Sequence, residues 1–193
     1  MPLLVRPGPE HLPQYIAALK RGWSSSTTRD VSAGESAMIE ADAQAFLGSM
    51  DDPDALAGDI EKPDGTMVKR LPGLKRFIWD GGFCGIVNLR WQEGTAALSP
   101  WCLMPGAWGL GHIGYSVVPW KQRRGYATRA LAEILPEARK IGLAHVEIST
   151  DVGNIPSQKV IIANGGVFVR EVTRTGALSN ADGLLYRIDL AAR

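Results

Sequence analysis

The chain has 193 residues, of which 45% are hydrophobic and 21% charged, and its formal net charge is +1. Those proportions lie near globular averages and exclude a disordered chain, a coiled coil and a collagen-like rod. A charge so near zero supplies no global field for nucleic acid or for an anionic membrane, and a chain this long encloses a core without disulfides or structural metal.

Two cysteines, Cys84 and Cys102, do not make a disulfide scaffold. There is no CxxC pair, and His11, His112 and His145 lie far apart, so no metal site is expected. No apolar run approaches the roughly 20 residues a membrane span needs. The opening MPLLVRPGPEH turns polar too soon for a signal peptide. The expectation is one cytoplasmic domain over residues 1–193.

In chain order, Pro2 to Arg6 reads as a strand stopped by Pro7-Gly8-Pro9. Leu12, Tyr15, Ile16 and Leu19 have helical spacing, which predicts a helix over 10–22. A second helix is predicted over Glu35 to Met50, with Met38, Ile39, Ala43, Phe46 and Leu47 on one face. Residues 51–75 are rich in Asp, Pro and Gly and read as a loop. Lys75–Asp80 and Phe83–Trp91 flank Gly81-Gly82 and predict a hairpin. Residues 93–109 read as loop, and Gly111–Val118 as a strand ending at Pro119. A long helix follows over about Gly125 to Ile141, with Gly142 just past its end. Pro136 inside it predicts a kink or an interruption at Leu135, because a mid-helix proline costs about 3 kcal/mol. Ala144–Thr150 is a strand, Pro156–Asn164 a short helix, and Val167–Thr173 and Leu184–Leu190 are strands. The order predicts an α+β fold with a mixed central sheet of about seven strands and about four flanking helices.

Charge is uneven along this order. Asp30, Glu35, Glu40, Asp42, Asp51, Asp52, Asp54, Asp59, Glu61 and Asp64 fall between Ser24 and Thr66, against Arg29 and Lys62 alone. Solvated faces account for such a stretch; so does an acidic wall that attracts a cationic ligand.

Gly109-Leu110-Gly111-His112-Ile113-Gly114 spells G-x-G-x-x-G, but a loop precedes it and a strand follows it. A dinucleotide fingerprint needs the reverse context. The informative segment is Gln122-Arg123-Arg124-Gly125-Tyr126-Ala127, between a strand and the long helix. Backbone N–H groups at a helix start are unpaired and carry partial positive charge, which makes an anion site. Gly125 lets an anion approach the backbone closely. Lys121, Arg123, Arg124 and Arg129 oppose the helix dipole unless an anion sits there.

This strand, the run Val117-x-Pro119-x-x-Gln122-Arg123-Arg124-Gly125-Tyr126-Ala127-Thr128 and the amphipathic helix after it resemble the GNAT superfamily of N-acetyltransferases, whose signature is Q/R-x-x-G-x-G/A. Asn154-x-x-Ser157 followed by Asn164-Gly165-Gly166-Val167-Phe168 is similar to the family's later segment. Gly111 to Phe168 also resembles an uncharacterised bacterial subgroup with a G-H-I-G-Y strand and an N-G-G ending. The resemblance covers about 60 residues well and the first 70 weakly.

The resemblance implies acetyl-CoA as cosubstrate, with no metal. Its pyrophosphate would lie on Gln122, Arg123, Arg124, Gly125, Tyr126, Ala127 and Thr128. Its pantetheine arm would pair with the strand ending at Val117 and Val118, where two strands splay apart. Asn154 would contact the arm and Ser157 would lie near the sulfur. A primary amine of a small molecule or peptide would attack the thioester directly. An alkylammonium with a pKa near 10.4 must first lose a proton; Glu147, flanked by Val146 and Ile148, and His112 are the candidate bases. A backbone N–H near Val118 is the expected oxyanion donor. Many members place a Tyr seven residues after the Asn, but here that position is Ile161. Ser157, Tyr115 or water would then serve the departing thiolate. Tryptophans 101 and 108 wall an acceptor pocket or pack down their loop.

Two other readings stand beside this one: a non-catalytic acyl-CoA-binding or regulatory domain on the same fold, and a binder of another anion such as an RNA phosphate. The lack of a basic-aromatic stripe counts against nucleic acid. Nothing in the sequence chooses between monomer and homodimer.

Overall fold

The computed structural model describes residues 2–27, 30–61, 67–92, 111–173 and 182–190. The elements are β1 (Leu4–Val5), α1 (Leu12–Lys20), α2 (Ser32–Ala41), α3 (Ala43–Gly48), β2 (Asp51–Asp52), β3 (Ile60–Glu61), β4 (Met67–Val68), β5 (Gly73–Trp79), β6 (Phe83–Arg90), β7 (Ile113–Val117), α4 (Tyr126–Lys140), β8 (His145–Asp151), α5 (Ile155–Ala163), β9 (Val167–Thr173) and β10 (Asp182–Asp189). The fold is α+β, as expected, but the strands divide between sheets. One has the order β1-β5-β6-β7 with β2 also on β5, one has the order β8-β10-β9, and β3 pairs with β4. Every described pairing is antiparallel.

The reading of 35–50 as one helix needs correction. The chain breaks at Asp42, which is extended (φ −156°, ψ 96°). Its carboxylate accepts the Ala45 N–H at 2.9 Å and caps α3, so an acidic side chain that reads as a surface position is a helix start. Residues 51–75, read as loop, supply β2, β3, β4 and the start of β5. The helix predicted to kink or break at Leu135 runs through Pro136. Proline removes one N–H, but Pro136 and Ala132, whose carbonyl would have accepted it, are both exposed to water.

Two cores fix the layers. Leu131, Ile134 and Ala138 of α4 are fully buried against Val87 and Leu89 of one sheet and Val146 and Ile188 of the other. Helix α4 therefore backs both sheets, and Leu131 and Ile134 each contribute about 1.5–3 kcal/mol through burial. Glu133 of the same helix accepts the Leu3 and Leu4 N–H groups at 2.7 and 3.1 Å, which anchors β1. On the opposite face of the larger sheet, α1 to α3 close an aromatic core. Tyr15 stacks on Phe77 with centroids 4.9 Å apart, and Trp23 meets Phe83 edge-on at 5.2 Å.

Candidate active site

Strand β7 delivers the chain to the start of α4 through a short 3-10 turn, Pro119–Lys121. Arg123 has φ +63° and Gly125 φ +78°. A left-handed arginine stores strain of order 1–3 kcal/mol, a pattern found at ligand sites. Gly125 is the N-cap of α4 and offers no side chain to the first-turn N–H groups. A Cβ built there would meet nothing within 4 Å, so the space in front of the helix start is open. Gln122 donates to the Val117 carbonyl at 3.2 Å and steadies the turn. Arg123 and Arg124 are exposed, whereas Lys121 Nζ reaches back to Cys84 Sγ at 3.4 Å and Arg129 lies 3.9 Å from Glu133. Ala127 and Thr128 follow in the first turn, and the Asn164 amide of the N-G-G ending donates to the Thr128 carbonyl at 3.2 Å.

The two sheets meet between β7 and β8, and they are joined at one end. His112 N–H donates to the Glu147 carbonyl at 2.6 Å, and Glu147 N–H donates to His112 Nδ1 at 2.9 Å. A Cβ on Gly111 would run into that Glu147 carbonyl, which explains the glycine. Beyond this point, no ladder joins β7 to β8 among the described residues. Val118 N–H donates to the Cys84 carbonyl at 3.0 Å. In an antiparallel ladder alternate residues turn both backbone groups the same way. Val118, Ser116 and Gly114 therefore face β6, and the N–H and C=O groups of Tyr115 and Val117 face the divide. This corrects the expectation of an oxyanion donor at Val118, whose N–H is already engaged.

The predicted side chains fall on two sides of the divide. On the α4 side, Tyr115 Oη lies 2.8 Å from Ser157 Oγ and donates to the Ser157 carbonyl at 3.3 Å. Burial pushes the Tyr115 phenol up to about 12, with the Ser157 hydrogen bond opposing the shift. Asn154 caps α5, its Oδ1 accepting the Ser157 N–H at 3.2 Å. Ile161 is fully buried in the α4 core. On the other side, Glu147 is 8% exposed and sits 3.4 Å from Arg187, its cross-strand partner. His112 is fully buried and its Nδ1 lone pair holds a backbone N–H, so that nitrogen takes no proton from an acceptor. Sequence reading placed it among the bases; its position makes it a joint between sheets.

Sequence reasoning missed several residues on the face away from α4. Trp23 Nε1 donates to Ser116 Oγ at 2.9 Å, tying α1 to β7. Glu35 accepts from Tyr15 at 2.6 Å and Ser25 at 2.7 Å; burial, then Glu35, raises the Tyr15 phenol. Strand alternation offered the signal, since Ser116 shares the face of Val118 and not that of Tyr115. The acidic stretch is largely consumed in structure. Asp51 bridges Arg6 at 3.0 Å and Arg76 at 3.2 Å, and Asp52 accepts the Leu56 and Ala57 N–H groups. Trp101, Trp108, Cys102 and Gly109-Leu110 lie outside the described residues, and Cys84 is a buried free thiol. Among the described residues no metal-binding group occurs, and no helix is long and apolar enough to cross a membrane.

Two sheets parting beside an open, uncapped helix start define an α+β protein suited to an anionic ligand whose arm enters between strands. The chain belongs to the GNAT acetyltransferases: the family model described as acetyltransferase (GNAT) domain matches residues 3–167. Among solved structures it is similar to RimJ of Mycobacterium smegmatis in complex with CoA-disulfide, with a TM-score of 0.62, 18% identity, and 96% of this chain and 80% of that one covered. RimL, a ribosomal L7/L12 alpha-N-protein acetyltransferase in complex with coenzyme A, gives 0.60 and 13% over 98% and 94%. The microcin C7 self-immunity acetyltransferase MccE, in complex with acetyl-CoA and AMP, gives 0.58 and 14% over 96% and 91%. No curated protein matches the sequence.

Proposed function

We propose that this chain transfers an acetyl group from acetyl-CoA to a primary amine, by direct attack across the divide between β7 and β8. The observation that carries the reading is the open, uncapped start of α4 leading straight to the unladdered edge of β7. The CoA complexes of the structurally similar proteins support it. Because α4 packs on both sheets, residues 1–193 are read as one domain.

Bound acetyl-CoA supplies an activated thioester. The first-turn N–H groups of α4, with Arg123 and Arg124, hold its pyrophosphate, and Gly125 leaves room for it. The divide-facing backbone groups of Tyr115 and the Val117 N–H pair with the amides of its arm, the Val117 carbonyl being held by Gln122, and Asn154 and Ser157 lie beside that arm.

At pH 7 only about one alkylamine in a few thousand is neutral, given a pKa near 10.4. Glu147, on the face away from α4, takes the ammonium proton directly or through one water. Tyr115 stays protonated throughout the neutral range. Its hydroxyl and that of Ser157 form a donor pair for the departing thiolate, in place of the tyrosine that Ile161 replaces. Calorimetric titration with acetyl-CoA, followed by thiol release over an amine panel, tests the reading. Saturable binding with amine-dependent release is expected; a protein that neither binds acetyl-CoA nor releases thiol refutes it.

A further inference from the structure

The face of the larger sheet that looks away from α4 changes character along its length. One end is the aromatic core around Phe77, Phe83 and Ile86. Two residues further along β5 the same face carries Lys75, and its cross-strand neighbours are Asn88 on β6 and then Gly114 on β7. The next row pairs Gly73 with Arg90. Asn88 is fixed, its Oδ1 accepting the Gly114 N–H at 3.1 Å, and Arg90 Nε donates to the Gly111 carbonyl at 3.0 Å. Arg70, on the segment entering β5, donates to the Gly58 carbonyl at 3.0 Å.

Lys75 is the exception. It is mostly buried, yet among the described residues its ammonium has neither a hydrogen bond nor an ion pair. The groups that act on it electrostatically are Glu35 of α2, Arg70 and Arg90. Glu35 is already occupied by two hydroxyls. Among the described residues, the charged groups that act on Lys75 are thus two arginines and one carboxylate that already holds two hydroxyls. A half-buried ammonium that no described residue engages is well placed to make a charge-assisted hydrogen bond to an anion.

We infer that Lys75, flanked by Arg70 and Arg90, holds an anionic group of the acceptor, so that the amine substrate carries a carboxylate or phosphate at its far end. Two strand spacings, about 9.5 Å, separate Lys75 from β7. That favours an acceptor whose anion lies several bonds from its amine. Burial, with Arg70 and Arg90, lowers the Lys75 pKa against the pull of Glu35.

The inference rests on the transferase reading only for the acceptor's role, and the test separates the two. Glutarate and inorganic phosphate are titrated by calorimetry into protein pre-equilibrated with CoA at neutral pH. Wild type, Lys75→Met and Lys75→Arg are compared, and the CoA titration is recorded first. Expected are binding weakened about tenfold or more in K75M and partial recovery in K75R. The stronger of the two anions identifies the group. In the transfer assay, 5-aminopentanoate should exceed pentylamine in kcat/KM, and K75M should erase the difference. Lys75-dependent anion binding without CoA binding would sink the transferase reading and leave the anion site standing. Anion binding equal in wild type and K75M, or none, overturns the inference whatever CoA does.

Discussion

Replacing Gly125 by Asp places a carboxylate at the open N-cap of α4. Two effects need separating. A non-glycine residue at φ +78° costs about 1–2 kcal/mol of stability, which lowers Tm by roughly 2–8 °C for a chain of this size. No clash adds to this, because a Cβ there meets nothing within 4 Å. The second effect falls on the ligand. At about 5 Å, with an effective dielectric of about 40–80, one pair of like charges costs about 0.8–1.7 kcal/mol. The two charges of a pyrophosphate bring this to about 1.7–3.3 kcal/mol, or about 20- to 250-fold in Kd. Asn is the control, since it tolerates left-handed backbone and has the shape of Asp without its charge. Calorimetric Kd values for acetyl-CoA should rank wild type, Gly125→Asn and Gly125→Asp in order of weakening, with most of the loss at the last step. Equal affinity in Gly125→Asp and wild type would remove the pyrophosphate from this loop.

Tyr115→Phe should lower kcat about tenfold to a hundredfold with little change in acetyl-CoA affinity, read by stopped-time thiol release; an unchanged kcat removes the phenol from the reaction. The same variant tests linkage. The folded phenol titrates at about 12 against about 10 unfolded, so its stabilising contribution is whole below pH 10 and fades as pH rises towards 12. The wild-type advantage in denaturant unfolding should shrink over that window, and a constant difference contradicts the burial. His112→Ala should destabilise by about 1–3 kcal/mol by orphaning the Glu147 N–H; a joint predicts no lost ionisation in the pH-rate profile, a base predicts one. A Cβ at Gly166 would strike Ile161 Cγ2 and lie 2.8 Å from its carbonyl, so Gly166→Ala should cost about 1–3 kcal/mol in urea melts, and a neutral result refutes that packing.

The strand-turn-helix around Gly125 was legible because its chemistry is local: a proline stop, basic residues and a glycine at a helix start. The stripe of α4 was legible for the same reason, being periodic. Asp42 was not, since capping a helix and decorating one look alike until the backbone turns. His112 misled because ring chemistry suggests a base, while its partner Glu147 is 35 residues away and invisible to spacing. Lys75 and Ser116 show the subtler limit. Alternation assigns each to a face, but only the pairing of β5, β6 and β7 brings those faces together.

One consequence follows from the way the two sheets are joined. Like the covers of a book, they touch along a spine, here the reciprocal His112–Glu147 bonds, and share a backing board in α4. Among the described residues no ladder sets how far the covers stand apart. Leu131, Ile134 and Ala138 of that board are buried in the core shared by both covers. Trimming Leu131 or enlarging Ala138 should therefore shift the spacing of the covers from behind, read as a changed preference between acetyl and longer acyl donors.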